Sequence, residues 1–307
     1  MKKSLSHALG GVRARYKGSM RLRPLEAMNL IALSLVTGLG LALYSRIENP
    51  GVPFGTLAGL SAGVLLVAWL ARREDALPMP AQIFVNFYAA AYLPLLFNAL
   101  GPLIEALRGG PRDDLLIAAD RALFGVDVTV WAERFVTPFR NDLFAVAYAT
   151  YYFLALTLGA LLFVLRRADA RRFFFTVVLA YHVSYTGYFA IPGLGPRFTL
   201  ADKQTVSVHD TPVSRSIDDT LNKMEQTKYD VFPSGHTMIA VVTLIVAFQR
   251  LRRAFWFFLP VATCLVISTI YCRYHYAIDV IAGMILAALV VPLGDRLYDR
   301  LVKPRVA

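Results

Sequence analysis

The stretch from Pro233 to Leu293, PSGHTMIAVVTLIVAFQRLRRAFWFFLPVATCLVISTIYCRYHYAIDVIAGMILAALVVPL, decides the fold. It contains three apolar runs, Ser234 to Leu251, Ala254 to Tyr271 and Tyr276 to Leu293. Each has about the 18 to 20 residues a helix needs to cross a hydrocarbon core. Working outward, five more runs of this kind precede them: Ala27 to Tyr44, Phe54 to Ala71, Ala81 to Leu100, Leu143 to Leu165 and Phe173 to Ile191. The pattern predicts an all-α polytopic membrane protein of about eight transmembrane helices. The third run contains Gln82, Asn86, Pro94 and Asn98, so it is expected to face other helices and not lipid.

Composition agrees with this. Of 307 residues 57% are hydrophobic and 17% charged, with a mean hydropathy of +0.52, which is too apolar for an ordinary soluble domain. The two cysteines, Cys264 and Cys272, can form neither a disulfide framework nor a four-ligand zinc site and read as small buried hydrophobes. A net charge of +11 raises a nucleic-acid partner, but the basic residues fall between apolar runs and form no stripe, so that partner is set aside.

Those basic residues set a topology instead. Counting alternate segments from a basic N-terminal tail places 20 of the 32 Lys and Arg on one side with 6 of the 21 acids. By the positive-inside rule that side is cytoplasmic, which puts both termini inside. The tail is read as preceding a retained anchor, since no cleavage pattern follows it. The expected organisation is a basic tail over 1–26, a transmembrane pair over 27–75 and a catalytic membrane domain over 76–301. Two long segments fall outside: Gly101 to Asp142, with stretches suited to interfacial helices, and the polar Pro192 to Pro233.

The chemistry lies at the outer ends of these runs. His275 and Asp279 are four apart at the start of the final run, a spacing that stacks them on one helical face and lets the carboxylate hold the imidazole. The same pair would also serve as a plain helix-start anchor. Pro233-Ser234-Gly235-His236 reads as a helix entrance: proline presets the backbone, Ser234 caps, and Gly235 admits close approach. The N–H groups of such a turn suit a phosphate, and His236 beside one suits proton donation. The tetrapeptide alone would equally be an ordinary capped helix start. Together the two motifs meet at one outer surface, with Arg273 and Gly195-Pro196-Arg197 on the same side. Convergent arginines and histidines form a phosphate clamp.

Pro-Ser-Gly-His followed one helical hairpin later by His-x-x-x-Asp resembles the type 2 phosphatidic acid phosphatase (PAP2) superfamily of lipid phosphatases and phosphotransferases, over roughly residues 80 to 295. The forms Arg273-Tyr-His-Tyr-Ala-Ile-Asp279 and Asp120-Arg-Ala-Leu-Phe-Gly-Val look most like its inositol phosphorylceramide synthase and sphingomyelin synthase branch. The resemblance implies a six-helix catalytic core in which His275 is the nucleophile, Asp279 its orienting partner and His236 the proton donor. Ser234 and Gly235 would hold phosphate oxygens. Thr269 stands where the family usually has an arginine, and Gly195-Pro196-Arg197 replaces its Lys-x6-Arg-Pro element. Arg273 and Arg197 are therefore the expected substitutes, with Lys203 more remote. His182, Tyr148, Tyr151 and Tyr152 are read as packing residues and His209 as solvated.

The expected activity is transfer of a phospho-headgroup between a lipid phosphate or phospholipid and an alcohol, polyol or water through a phosphohistidine, with no cofactor and no metal. A lipid phosphate phosphatase is the alternative. A transporter built around His182, Asn86 and Asn98 is the rival from another class.

Overall fold

The protein, seen in a computed structural model, is described over residues 22–108, 110–224 and 227–302; most of the basic tail, together with Lys303 and Arg305, lies outside the described residues. Among those residues all regular structure is helical. The N-terminal elements are α1 (Pro24–Ala42), α2 (Gly51–Ala71), α3 (Met79–Phe87) and α4 (Ala89–Arg108). A surface segment holds α5 (Asp113–Phe124) and α6 (Val128–Trp131) before α7 (Pro138–Ala149), α8 (Tyr151–Leu165) and α9 (Arg167–Ala190). A second holds α10 (Pro196–Thr199) and α11 (Pro212–Met224), and α12 (Gly235–Arg250), α13 (Arg252–Tyr271) and α14 (Ala277–Val302) follow.

Each of the eight apolar runs is helical, though fewer than the expected eight are by themselves long and apolar enough to cross a bilayer. Five helices are long and apolar enough to cross a bilayer: α1, α2, the α3–α4 unit Met79–Arg108, α13 and α14. The number becomes six if α7 and α8, bent by 48° between Ala149 and Tyr151, form one span. The reason lies in two enclosed helices. At 16 residues α12 is about 24 Å long, short of the ~30 Å core. In α9, Arg167, Asp169, Arg171, Arg172, Thr176, His182, Ser184 and Thr186 lower its apolarity. Both sit at the centre of the bundle, α12 against α8, α9, α13 and α14, and α9 against α1, α4, α8, α12 and α14. Helices sheathed by protein need not satisfy the demands of lipid.

Close approach to the Pro233 turn needs glycine at two positions. A Cβ on Gly187 of α9 would lie 2.1 Å from Pro233 Cδ, and one on Gly283 of α14 would lie 2.7 Å from the Ser234 carbonyl oxygen. These contacts draw α9 and α14 onto the entrance of α12.

The two ends of the bundle differ. At one, Arg172 pairs with Asp295 (3.1 Å) and Asp299, Arg166 with Asp169 (2.7 Å), Arg250 with Asp169 (3.5 Å), and Arg171 with Glu74 (2.8 Å). These are the segments that charge counting assigned to a single side. The segments between α4 and α7 and between α9 and α12 pack on the outer ends of α13 and α14. There Leu115, Leu123, Phe124, Trp131 and Phe139 are exposed.

Candidate active site

Ser234 caps α12 through its side chain, Oγ accepting the Thr237 N–H at 3.2 Å, and its own N–H donates to the Asp279 carbonyl at 3.1 Å. One backbone bond thus stitches the two motifs together. The preceding Phe232–Pro233 peptide is cis.

His275 lies just before α14, held by its N–H on the Thr269 carbonyl (3.0 Å). Its Nδ1 is 2.9 Å from the Val231 carbonyl oxygen. A carbonyl only accepts, so Nδ1 carries the proton and Nε2 keeps a lone pair. That Nε2 is 3.3 Å from His236 Nδ1, which in this tautomer donates to it. His236 Nε2 is buried without a hydrogen-bond partner. Burial pushes His275 down to about 4, against a rise from Asp230 and the Val231 bond, so the imidazole is neutral at physiological pH.

Asp279 does less for His275 than its spacing suggests. Oδ2 lies 3.6 Å from His275 Nδ1, beyond hydrogen-bond length, and instead accepts the Tyr276 N–H at 2.8 Å. The four-residue spacing assumes a helix, but α14 begins at Ala277 and His275 belongs to the turn before it, where Arg273 has φ 64°. The Val231 carbonyl, on which sequence is silent, fixes the tautomer.

The three expected cations separate. Arg197 reaches the site: its guanidinium lies 4.6 Å from the Tyr274 ring, donates to Asn222 Oδ1 at 3.1 Å, and acts electrostatically on both histidines. Arg273 is buried and its guanidinium is engaged elsewhere, with Glu133 Oε1 at 2.7 Å, Gln204 Oε1 at 3.1 Å and the Val206 carbonyl. It holds the segment after α10 in place. Lys203 pairs with Asp127 at 3.1 Å on the exposed rim and does not join the histidines.

Other residues were misjudged or missed. Tyr148 stacks on His236 (centroids 4.5 Å apart, 30°) and Tyr151 lies against it (4.0 Å, 40°), so their packing is on a site histidine. Tyr152 packs near Tyr148, outside these ring contacts with His236. His209, expected to be solvated, is three-quarters buried 3.7 Å from Asp218, because α11 folds back over the site. His182 does pack, against Asn29 (3.1 Å). Asp120 accepts the Ala277 and Ile278 N–H groups at 3.0 and 2.7 Å, capping α14 beside His275. Asp113 accepts the Leu194 and Gly195 N–H groups and the Tyr276 hydroxyl, each at 2.8 Å. Asp120 opens the segment Asp120-Arg-Ala-Leu-Phe-Gly-Val that carries the resemblance, but no spacing in the sequence predicts either carboxylate's partners. Among the described residues no group of three or more His, Cys, Asp or Glu is placed to hold a metal.

Comparison with known proteins yields one match: the family model of the PAP2 superfamily covers residues 114–293. No curated protein and no solved structure matches the chain.

Proposed function

Because the chain belongs to the PAP2 superfamily, on a match covering more than half its length, and is an enzyme of phosphatase or phosphotransferase type acting on lipid phosphates, we propose that it transfers a phospho-headgroup between lipids and alcohols through a phosphohistidine on His275. The observation that carries this reading is the alignment of a neutral, lone-pair-bearing His275 Nε2 with the ring of His236.

In the first half, His275 Nε2 attacks phosphorus and the bond to the leaving alcohol breaks, its oxygen taking a proton from His236. In the second, His236 takes a proton from the acceptor hydroxyl, whose oxygen attacks the phosphohistidine and restores His275. Phosphorus must lie between the two rings, so binding separates nitrogens now 3.3 Å apart. Arg197, Ser234 and Gly235 are the proposed holders of the phosphoryl oxygens, the last two through the entrance of α12. Asp279 offsets positive charge on His275 from 3.6 Å. In this reading Arg273 positions the surrounding segment.

Burial supports transfer over hydrolysis. His236 and His275 are 6% and 2% exposed, and α11 closes over them through Asn222 to Arg197 and Asp218 to the Tyr274 hydroxyl (2.7 Å). A site that keeps water out favours an acceptor with binding contacts of its own. A polyol or lipid alcohol fits, as in the inositol phosphorylceramide synthase branch that residues 273–279 resemble. We place the ion-paired end of the bundle in the cytoplasm and the histidines at the extracytoplasmic face of the cell membrane.

The test supplies purified protein with a phospholipid or lipid phosphate, with and without a polyol. A new phosphodiester formed only with the polyol supports transfer, whereas free phosphate in both arms makes the enzyme a phosphatase. Full activity of His275→Ala, or no acid-labile phosphoenzyme on a turned-over substrate, would remove the mechanism.

A further inference from the structure

His236 sits in a column of aromatic rings of which only Tyr274 belongs to either motif. Tyr148, 1% exposed at the end of α7, stacks on His236 with its other neighbour Tyr274 at 4.2 Å and 22°. The Arg197 guanidinium covers Tyr274 at 4.6 Å. Tyr151, at the start of α8, also flanks His236, at 4.0 Å. Tyr148 and Tyr151 lie on either side of the 48° bend between α7 and α8. The bend, otherwise an interruption in an apolar helix, delivers both rings to one imidazole.

We propose that Tyr148 and Tyr151 are positioning residues for the general acid, their ring faces fixing the His236 rotamer and stabilising its imidazolium form during proton transfer. The inference rests on the reading of His236 as the proton donor. An aromatic face attracts a cation, and more strongly where water is excluded. Imidazole itself supplies the cation here, with no carboxylate hydrogen-bonded to it. The charged or titratable groups facing it are His275 from the turn before α14 and Arg197 from α10, both of which oppose positive charge on it, and the phenols of Tyr148, Tyr151 and, beside Gly235, Tyr188 of α9. With two cationic or potentially cationic neighbours, the ring faces are the groups that favour protonation. Arg197 and His236 share the column through Tyr274 and Tyr148, so the phosphate-holding cation and the acid are registered by one set of planes.

The experiment measures kcat/KM against pH on a lipid phosphate for wild type, Tyr148→Phe, Tyr148→Leu and His236→Asn. Tyr148→Leu should lose about tenfold and move the alkaline limb, which reports the protonated acid, to lower pH by about half a unit or more. Tyr148→Phe keeps the ring and should stay within about threefold with its limb in place. An unmoved limb in Tyr148→Leu, or an equal loss in Tyr148→Phe, overturns the proposal. If His236→Asn retains the alkaline limb, the parent reading of His236 has failed instead. Should Tyr148→Leu not fold, Tyr151→Leu against Tyr151→Phe carries the same comparison on the other ring, with the same outcomes deciding.

Discussion

Replacing Asp120 by alanine should unfasten the start of the last helix. Its carboxylate accepts the Ala277 and Ile278 N–H groups at 3.0 and 2.7 Å, and Asp120 is only 2% exposed, so water cannot replace it. A hydrogen bond to an ionised acceptor contributes about 1.5–3 kcal/mol, and stranding two buried donors gives a loss of about 3–5 kcal/mol for Asp120→Ala. Asp120→Asn retains one acceptor oxygen and should lose about half as much. His275 lies two residues before Ala277, so the helix start also sets the proposed nucleophile. A shift of about 1 Å at a reacting group reduces turnover about 100-fold. The assay is unfolding of the purified protein by graded denaturing detergent in mixed micelles, with turnover measured on the same preparations. Asp120→Ala unfolding within about 0.5 kcal/mol of wild type, or Asp120→Asn proving the worse of the two, would refute the capping argument.

Arg197→Gln should reduce kcat/KM about 100-fold at unchanged stability, while Arg273→Gln should lose about 1–3 kcal/mol by leaving the half-buried Glu133 carboxylate without its cation, with only Thr205 still donating to it; the opposite pattern in the two assays would reverse their roles. Gly283→Ala forces a Cβ to within 2.7 Å of the Ser234 carbonyl, and the backbone cannot yield as a side chain would. A drop of at least about tenfold in activity, with about 1–3 kcal/mol lost in unfolding, is expected. As the proposed nucleophile His275 would act only when neutral, and burial pushes it down to about 4, so kcat/KM should hold as pH falls and decline only towards that value. An acid limb near the ordinary histidine value of about 6.5 would contradict it.

What sequence discloses here is what lies within one turn. The Ser234 cap, the entrance of α12 and the pairing of two histidine motifs are legible because each is a short pattern with one conformational solution. Apolar length located the long bundle helices but not α11, which lies in a segment read as polar, and charge counting gathered the segments that meet in ion pairs at one end. Apolarity does not reveal which helices, here α9 and α12, are wrapped by others. The residues it missed act across long separations: Val231 on His275, Asp120 on Ala277 and Tyr148 on His236 are 44, 157 and 88 positions apart. Spacing also misled at Asp279, since a four-residue interval implies shared helical geometry only if both residues are in the helix.

The heptapeptide Arg273 to Asp279 touches a different distant segment at nearly every residue. Arg273 holds Glu133, Tyr274 holds Asp218, His275 holds Val231, Tyr276 holds Asp113, Ala277 and Ile278 meet Asp120, and Asp279 meets Ser234. It follows all of those partners in the order of synthesis. A chain made from its N-terminus therefore holds these partners unjoined until this segment follows. Biosynthesis delivers the last fastener after everything it fastens.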